Sequence, residues 1–186
     1  MIFENNIKNI TVFATCALMF STLSCQHVFE NRNMYNTDKA ISNRNVLDAN
    51  KRNAKLLVIA SQNSLDIIGL CQSIEEAESE KAIEKLVMDL EKTQLEIFTV
   101  YKALAQNKMI SVPKYPIAID CNINDEVGFV ENNLSLIIEK IKKQIQVLDT
   151  LSNTANSDFS RLSRTINPIL KSKLAETQNT IGTLKA

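Results

Sequence analysis

The sequence predicts an all-α chain built as a four-helix bundle, with one long crossover between its second and third helices. Three observations lead there. The 186 residues include no Trp, three Gly and three Pro. Leu, Ile, Ala, Lys, Glu and Asn dominate instead, a set that favours helices over strands, which need more turns and more β-branched alternation. Four long segments place apolar residues at steps of three and four, with charges on the other faces. Finally, seventeen residues, Lys108 to Asn124, separate the second pattern from the third and carry Pro113 and Pro116. A structureless connection of that length is unusual in a simple up-and-down bundle.

The chain starts with a segment that reads as an address. Lys8 precedes an uncharged apolar stretch, Ile10 to Leu23, and Leu23-Ser24-Cys25 follows. This is the layout of a bacterial secretory signal, too short for a permanent membrane helix. Cys25 at the cleavage point resembles a lipobox, in which the thiol is lipidated and begins the mature protein. Cleaved secretion without lipid and a retained anchor are the alternatives. Residues 1–25 are thus expected to be a signal peptide. Residues 26–44, rich in Asn and without apolar periodicity, are expected to form a flexible tether that turns helical near Asp38. Residues 45–186 are expected to form the bundle domain.

Within that domain the first helix, roughly 45–73, carries the stripe Leu57, Ala60, Ser64, Ile67, Cys71, Ile74. The second, roughly 79–107, carries Ile83, Leu86, Val87, Leu90, Gln94, Ile97, Tyr101, Leu104. The third, roughly 125–152, carries Val127, Val130, Leu134, Ile137, Ile141, Ile145, Leu148. The fourth, roughly 157–184, carries Phe159, Leu162, Ile166, Ile169, Lys173, Thr177, Ile181, Leu184. Glu80, Lys81, Glu84 and Lys85, and likewise Glu139, Lys140, Lys142 and Lys143, are read as solvated faces. Packing the four sticky stripes together hides them from water. Ser79 can cap the second helix, and Asn124, with Asp125 and Glu126 after it, the third. Pro168 should kink or restart the fourth, because its ring removes an amide donor.

Short connections make helices one and two, and three and four, antiparallel neighbours. Fully extended, the long connection could span about 55 Å, against about 42 Å for a helix of this length. It can therefore cross the bundle end to end, which is the ferritin-like arrangement. A crossover would bring Cys71 and Cys121 to the same end of the bundle. An exported compartment permits a disulfide between them; two buried apolar thiols are the alternative.

Composition excludes several classes of function. Lys and Arg number 21, as do Asp and Glu, and no basic stripe exists, so nucleic acid is not an expected partner. The sole histidine, His27, lies in the tether and reads as solvated. A ferritin-type metal centre needs Glu-x-x-His pairs facing inward, and none is present, so no metal or other cofactor is expected. Ser61, Ser64 and Ser135 have no histidine base, and Gly69, Gly128 and Gly182 are isolated rather than grouped in a phosphate-cradling loop. No catalytic residue is assigned. Asp66 or Asp89 could face inward and would then need a partner, for which Lys173 is a candidate. Phe29, Tyr35 and Tyr115 are the exposed-looking aromatics, with Tyr115 expected to pack its loop across the bundle.

A resemblance adds to this reading. Ala54 to Leu70 reads A-K-L-L-V-I-A-S-Q-N-S-L-D-I-I-G-L, Ser79 to Thr93 reads S-E-K-A-I-E-K-L-V-M-D-L-E-K-T, and Leu104 to Pro113 reads L-A-Q-N-K-M-I-S-V-P. With I-N-P-I-L-K-S-K-L-A-E-T-Q from Ile166, these stretches resemble a bacterial exported family of unknown function labelled "predicted outer membrane protein", which has a ferritin-like fold. That family carries an Asp-His step in its second helix and a histidine in each of the third and fourth. Here Asp89 is kept, but Leu90, a position near Ile137, and Lys173 replace the imidazoles. The expectation is therefore a lipid-anchored, periplasm-facing envelope protein at the outer membrane, with no enzymatic activity, whose bundle contacts an envelope protein. The alternatives are a metal-binding or redox protein, and a carrier of a small apolar ligand held beside Ala60, Ser64 and Ala105.

Overall fold

A computed structural model of the chain describes residues 33–77, 80–117 and 128–184. All regular structure among them is helical: α1 (Asn33–Glu75), α2 (Lys81–Asn107), α3 (Phe129–Ser152) and α4 (Ser157–Leu184). The chain divides into two compact units, Met1–Ala49 and Asn50–Ala186. The second holds the core. Helix α1 is already formed at Asn33, inside the stretch expected as a tether. Residues 42–48 of it are exposed on every face.

The predicted stripes are the core. Leu57, Ala60, Ser64, Ile67, Cys71 and Ile74 are fully buried on α1, as are Val87, Leu90, Gln94 and Tyr101 on α2 and Leu134, Ile137, Ile141 and Leu148 on α3. Helix α4 departs at Ile169 and at its end, where Leu184 is exposed. Ile169 is exposed and Leu170 is buried, because the step that follows Ile166 is four residues, not three. Pro168 neither stops nor restarts α4, which runs continuously to Leu184. The caps assigned to Ser79, Asn124, Asp125 and Glu126 lie outside the described residues. Asn156 begins α4: its Oδ1 accepts from the Asp158 N–H at 3.1 Å and its carbonyl from the Ser160 N–H at 3.1 Å, with Asp158 in the positive first turn.

Polar contacts fix the register of the helices. Between α1 and α3, Ser64 meets Gln144 and Asp66 meets Lys140. Between α2 and α4, Asp89 meets Lys173, and Lys108, at the end of α2, meets Asp158. Between α1 and α2, Gln72 donates to Glu91 at 2.7 Å, and between α3 and α4, Asn167 donates to Asp149 at 2.6 Å.

Helix α2 ends in a Schellman turn, with the Ile110 N–H donating to the Ala105 carbonyl at 2.8 Å and Met109 N–H to Gln106 carbonyl at 3.1 Å. Met109 takes the left-handed position usually given to glycine, with φ of 55°. The chain then runs without regular structure to Ile117 and lies along α1. Ile110 and Val112 pack against the core, the Tyr115 carbonyl accepts from Gln62 at 3.3 Å, and the Ile117 N–H donates to Asp66 at 3.0 Å. A Cβ on Gly69 would sit 3.2 Å from Pro116, so the bare glycine lets the limb come close. In its middle turns α1 is buried nearly all round, Leu65 and Ile68 included. A helix that is apolar on all sides must be wrapped on all sides. By length and composition Ser42–Glu75 could cross a membrane, its most apolar window having a mean hydropathy of 1.3, yet 61% of that window is buried inside the protein.

Candidate functional site

Two polar assemblies involve α1, one in the core against α2 and α3 and the other on its outer side. The first is an amide layer. Gln94 on α2 and Gln144 on α3 are both fully buried and bond reciprocally, Nε2 of each donating to Oε1 of the other at 3.2 Å. Gln144 Nε2 also donates to Ser64 Oγ at 2.7 Å and lies 3.4 Å from the Ala60 carbonyl. Each side-chain nitrogen and oxygen of the pair thus has at least one internal partner, which makes burial of two amides tolerable. Gln144 thus packs its amide against Ala60 and Ser64. Ser61 Oγ is committed to the Leu57 carbonyl at 2.8 Å, and Ser135 is exposed.

The second assembly is centred on Asp66, whose side chain is 1% exposed. Its carboxylate accepts from Lys140 Nζ at 2.6 Å, Gln62 Nε2 at 2.7 Å and the Ile117 N–H at 3.0 Å. Burial pushes this carboxyl up, but the three donors, Lys140 foremost, outweigh burial and hold it below its ordinary value. Lys140 is therefore not part of a solvated face. The Asp66 partner is Lys140, while Lys173 pairs with Asp89 and Glu176 on the surface, an environment that raises the lysine.

The residues singled out in the sequence are dispersed rather than gathered. Cys71 is a fully buried free thiol, held in its neutral form by burial and by Glu91 and Glu75 nearby. Cys121, its expected disulfide partner, lies outside the described residues, as do Cys25, the candidate lipidation site, and His27. Among the described residues no group of three or more His, Cys, Asp or Glu side chains is arranged to hold a metal ion. Glu84, Glu96, Glu139 and Glu176 are exposed, with Glu91 and Glu131 partly so. An open groove of about 550 Å³ runs past Arg52, Lys142, Asp149 and Thr150.

Sequence reasoning missed Gln144, Lys140 and Gln62. For Gln144 the signal was present: Ile137, Ile141, Gln144, Leu148 and Leu151 advance by four, three, four and three, and all are buried. Weighting apolar residues alone put Ile145 on the stripe in its place. Tyr115 was expected to pack, yet it is 78% exposed; the chain there packs through Ile110 and Val112.

These features define an all-α four-helix protein with a self-satisfied polar layer in its core. No family model matches the chain, and neither a curated protein nor a solved structure is similar to it.

Proposed function

We propose that the protein is a non-catalytic, ferritin-like helical module of the bacterial envelope, anchored through a lipidated Cys25 and contacting another envelope protein. The registers support the ferritin-like part. Helix α1 runs antiparallel to both α2 and α3, and α4 to both α2 and α3. These pairings favour parallel α2 and α3, which is the arrangement a crossover connection would serve. The described residues that follow α2 lie along α1 as far as Gly69, which supports that reading.

One observation carries the non-catalytic reading. The central layer that a ferritin-like bundle can devote to metal-binding carboxylates and imidazoles is here Gln94, Gln144 and Ser64, whose amides and hydroxyl bond to one another. Amides closed on themselves offer neither a base nor an anionic ligand. The leader and the family resemblance supply the envelope location and the contact with an envelope protein.

The test is intact mass of the full chain from the native membrane fraction, before and after deacylation, combined with lysine-reactive cross-linking in living cells. An acylated mature chain starting at Cys25 that forms a discrete larger adduct is the expected result. A soluble, unlipidated chain that stays monomeric and purifies with stoichiometric iron, copper or zinc would overturn the proposal.

A further inference from the structure

We propose that two copies of this chain pair through α2, antiparallel, along the stripe Glu84, Met88, Glu91, Leu95, Phe98 and Lys102. The inference goes beyond the envelope reading, which concerns a different partner.

The stripe advances in steps of four, three, four, three and four, the spacing of a coiled-coil seam. Each of its members directly follows a buried residue of α2: Ile83, Val87, Leu90, Gln94, Ile97 and Tyr101. At 3.6 residues per turn the seam therefore lies about 100° round the helix from the core. Within it Met88 is 57% and Leu95 48% exposed, Phe98 is half-buried, and Glu84 and Lys102 are exposed. Glu91 accepts from Gln72, which fixes the border with α1. Apolar side chains scattered singly on a surface are ordinary. Here three fall in one seam of one helix, and none of them belongs to the core cluster.

The order of charge decides the occupant. The seam begins on a carboxylate and ends on an ammonium, and neither has an ion-pair partner among the described residues. Two copies of α2 laid in the same direction would set Glu84 against Glu84 and Lys102 against Lys102. Laid antiparallel, they set Glu84 of each copy against Lys102 of the other, at both ends. Met88 of each copy then meets Phe98 of the other, and the two Leu95 side chains pack beside the two-fold axis. One patch thus serves on both copies, as a closed two-fold dimer requires. The apolar middle supplies the attraction, and the exposed end charges, weak as single pairs, set the direction. Three apolar anchors per copy along about 27 Å of helix make a small interface, so the dimer is reversible and depends on concentration.

The test is zero-length carbodiimide coupling of the full chain in an unfractionated homogenate of its native cells, read by gel and by peptide mass spectrometry. Glu84 and Lys102 of one chain lie about 27 Å apart on a single helix, so a bond between them can form only between copies. The expected result is a band of twice the chain mass that contains the Glu84–Lys102 linked peptide. Leu95→Glu should lower that band about tenfold with an unchanged melting temperature, because Leu95 is not a core residue. The charge-exchanged chain, Glu84→Lys with Lys102→Glu, should keep both the band and the link. A double-mass band without the 84–102 link, or one indifferent to Leu95→Glu, would overturn the proposal. So would loss of the band in the charge-exchanged chain, adducts to other proteins alone, or no adduct at all.

Discussion

Asp66→Ala should cost the bundle about 2–3 kcal/mol at neutral pH. Removing one partner of a buried ion pair typically costs about 3–5 kcal/mol, because the other charge is left uncompensated. The side chain of Lys140 is 26% exposed, so the stranded ammonium can regain water, and the estimate falls below that range. The Ile117 N–H and Gln62 amide also lose their acceptor, the main chain of the limb being freed at the point where it crosses α1. Asp66→Asn keeps an acceptor for one of them and should cost less, about 1–2 kcal/mol. The pH dependence follows from the depressed carboxyl. Since the folded pKa lies below the unfolded one of about 3.9, the charged-state contribution is complete above that value and drains away as pH falls through the folded pKa. Urea unfolding of wild type and both variants, at neutral pH and below about pH 3, measures this directly. The gap between wild type and Asp66→Asn should narrow at acid pH. A cost under about 1 kcal/mol for Asp66→Ala, or a gap to Asp66→Asn that ignores pH, would refute the assignment of Asp66 as the pin of the limb.

Three further outcomes follow from buried polar groups and from the backbone. Gln94→Leu alone should destabilise by about 1–3 kcal/mol, since Gln144 loses a partner, whereas Gln94→Leu with Gln144→Leu should come within about 1 kcal/mol of wild type; additive losses in a double-mutant cycle would count against the reciprocal bond. Tyr101 is fully buried with a hydroxyl that has no partner. Tyr101→Phe should therefore leave stability unchanged or raise it by about 1 kcal/mol in thermal unfolding, and a loss would mean that the hydroxyl is bonded. Met109→Gly should gain about 0.5–1 kcal/mol by relieving the left-handed backbone of a residue whose side chain is 95% exposed; a decrease in the unfolding midpoint would show that the Met side chain packs.

The periodic signal carried far in this chain. Steps of three and four located the core of α1 and α2 almost residue by residue, even through Ser64 and Gln94, because a position on a buried stripe is set by helical geometry and not by the polarity of its occupant. Reading broke down where two elements meet. The pairing of Asp66 with Lys140 joins residues 74 apart in sequence, and no local pattern distinguishes Lys140 from Lys142 or Lys143 beside it. Ile169 and Leu170 are equally apolar neighbours, so only the packing of α4 decides which is inside. The start of α1 was placed too late for another reason. Residues 42–48 have no apolar face to bury, and their helix is propagated from the packed turns that follow it rather than encoded locally.

The limb over α1 links these points into one physical account. The limb crosses α1 on the side that carries Gln62, Asp66 and Gly69, and covering that side buries polar groups of both partners. A covering strand brings its own unsatisfied amides and carbonyls, and in a purely apolar setting each would cost about 1–3 kcal/mol. Asp66 and Gln62, one turn apart on that outer side, supply the acceptor and the donor the strand needs. The buried carboxylate in turn requires a cation, and Lys140 on α3 provides it. Each polar residue in this chain of needs is thus accounted for by cover and counter-charge.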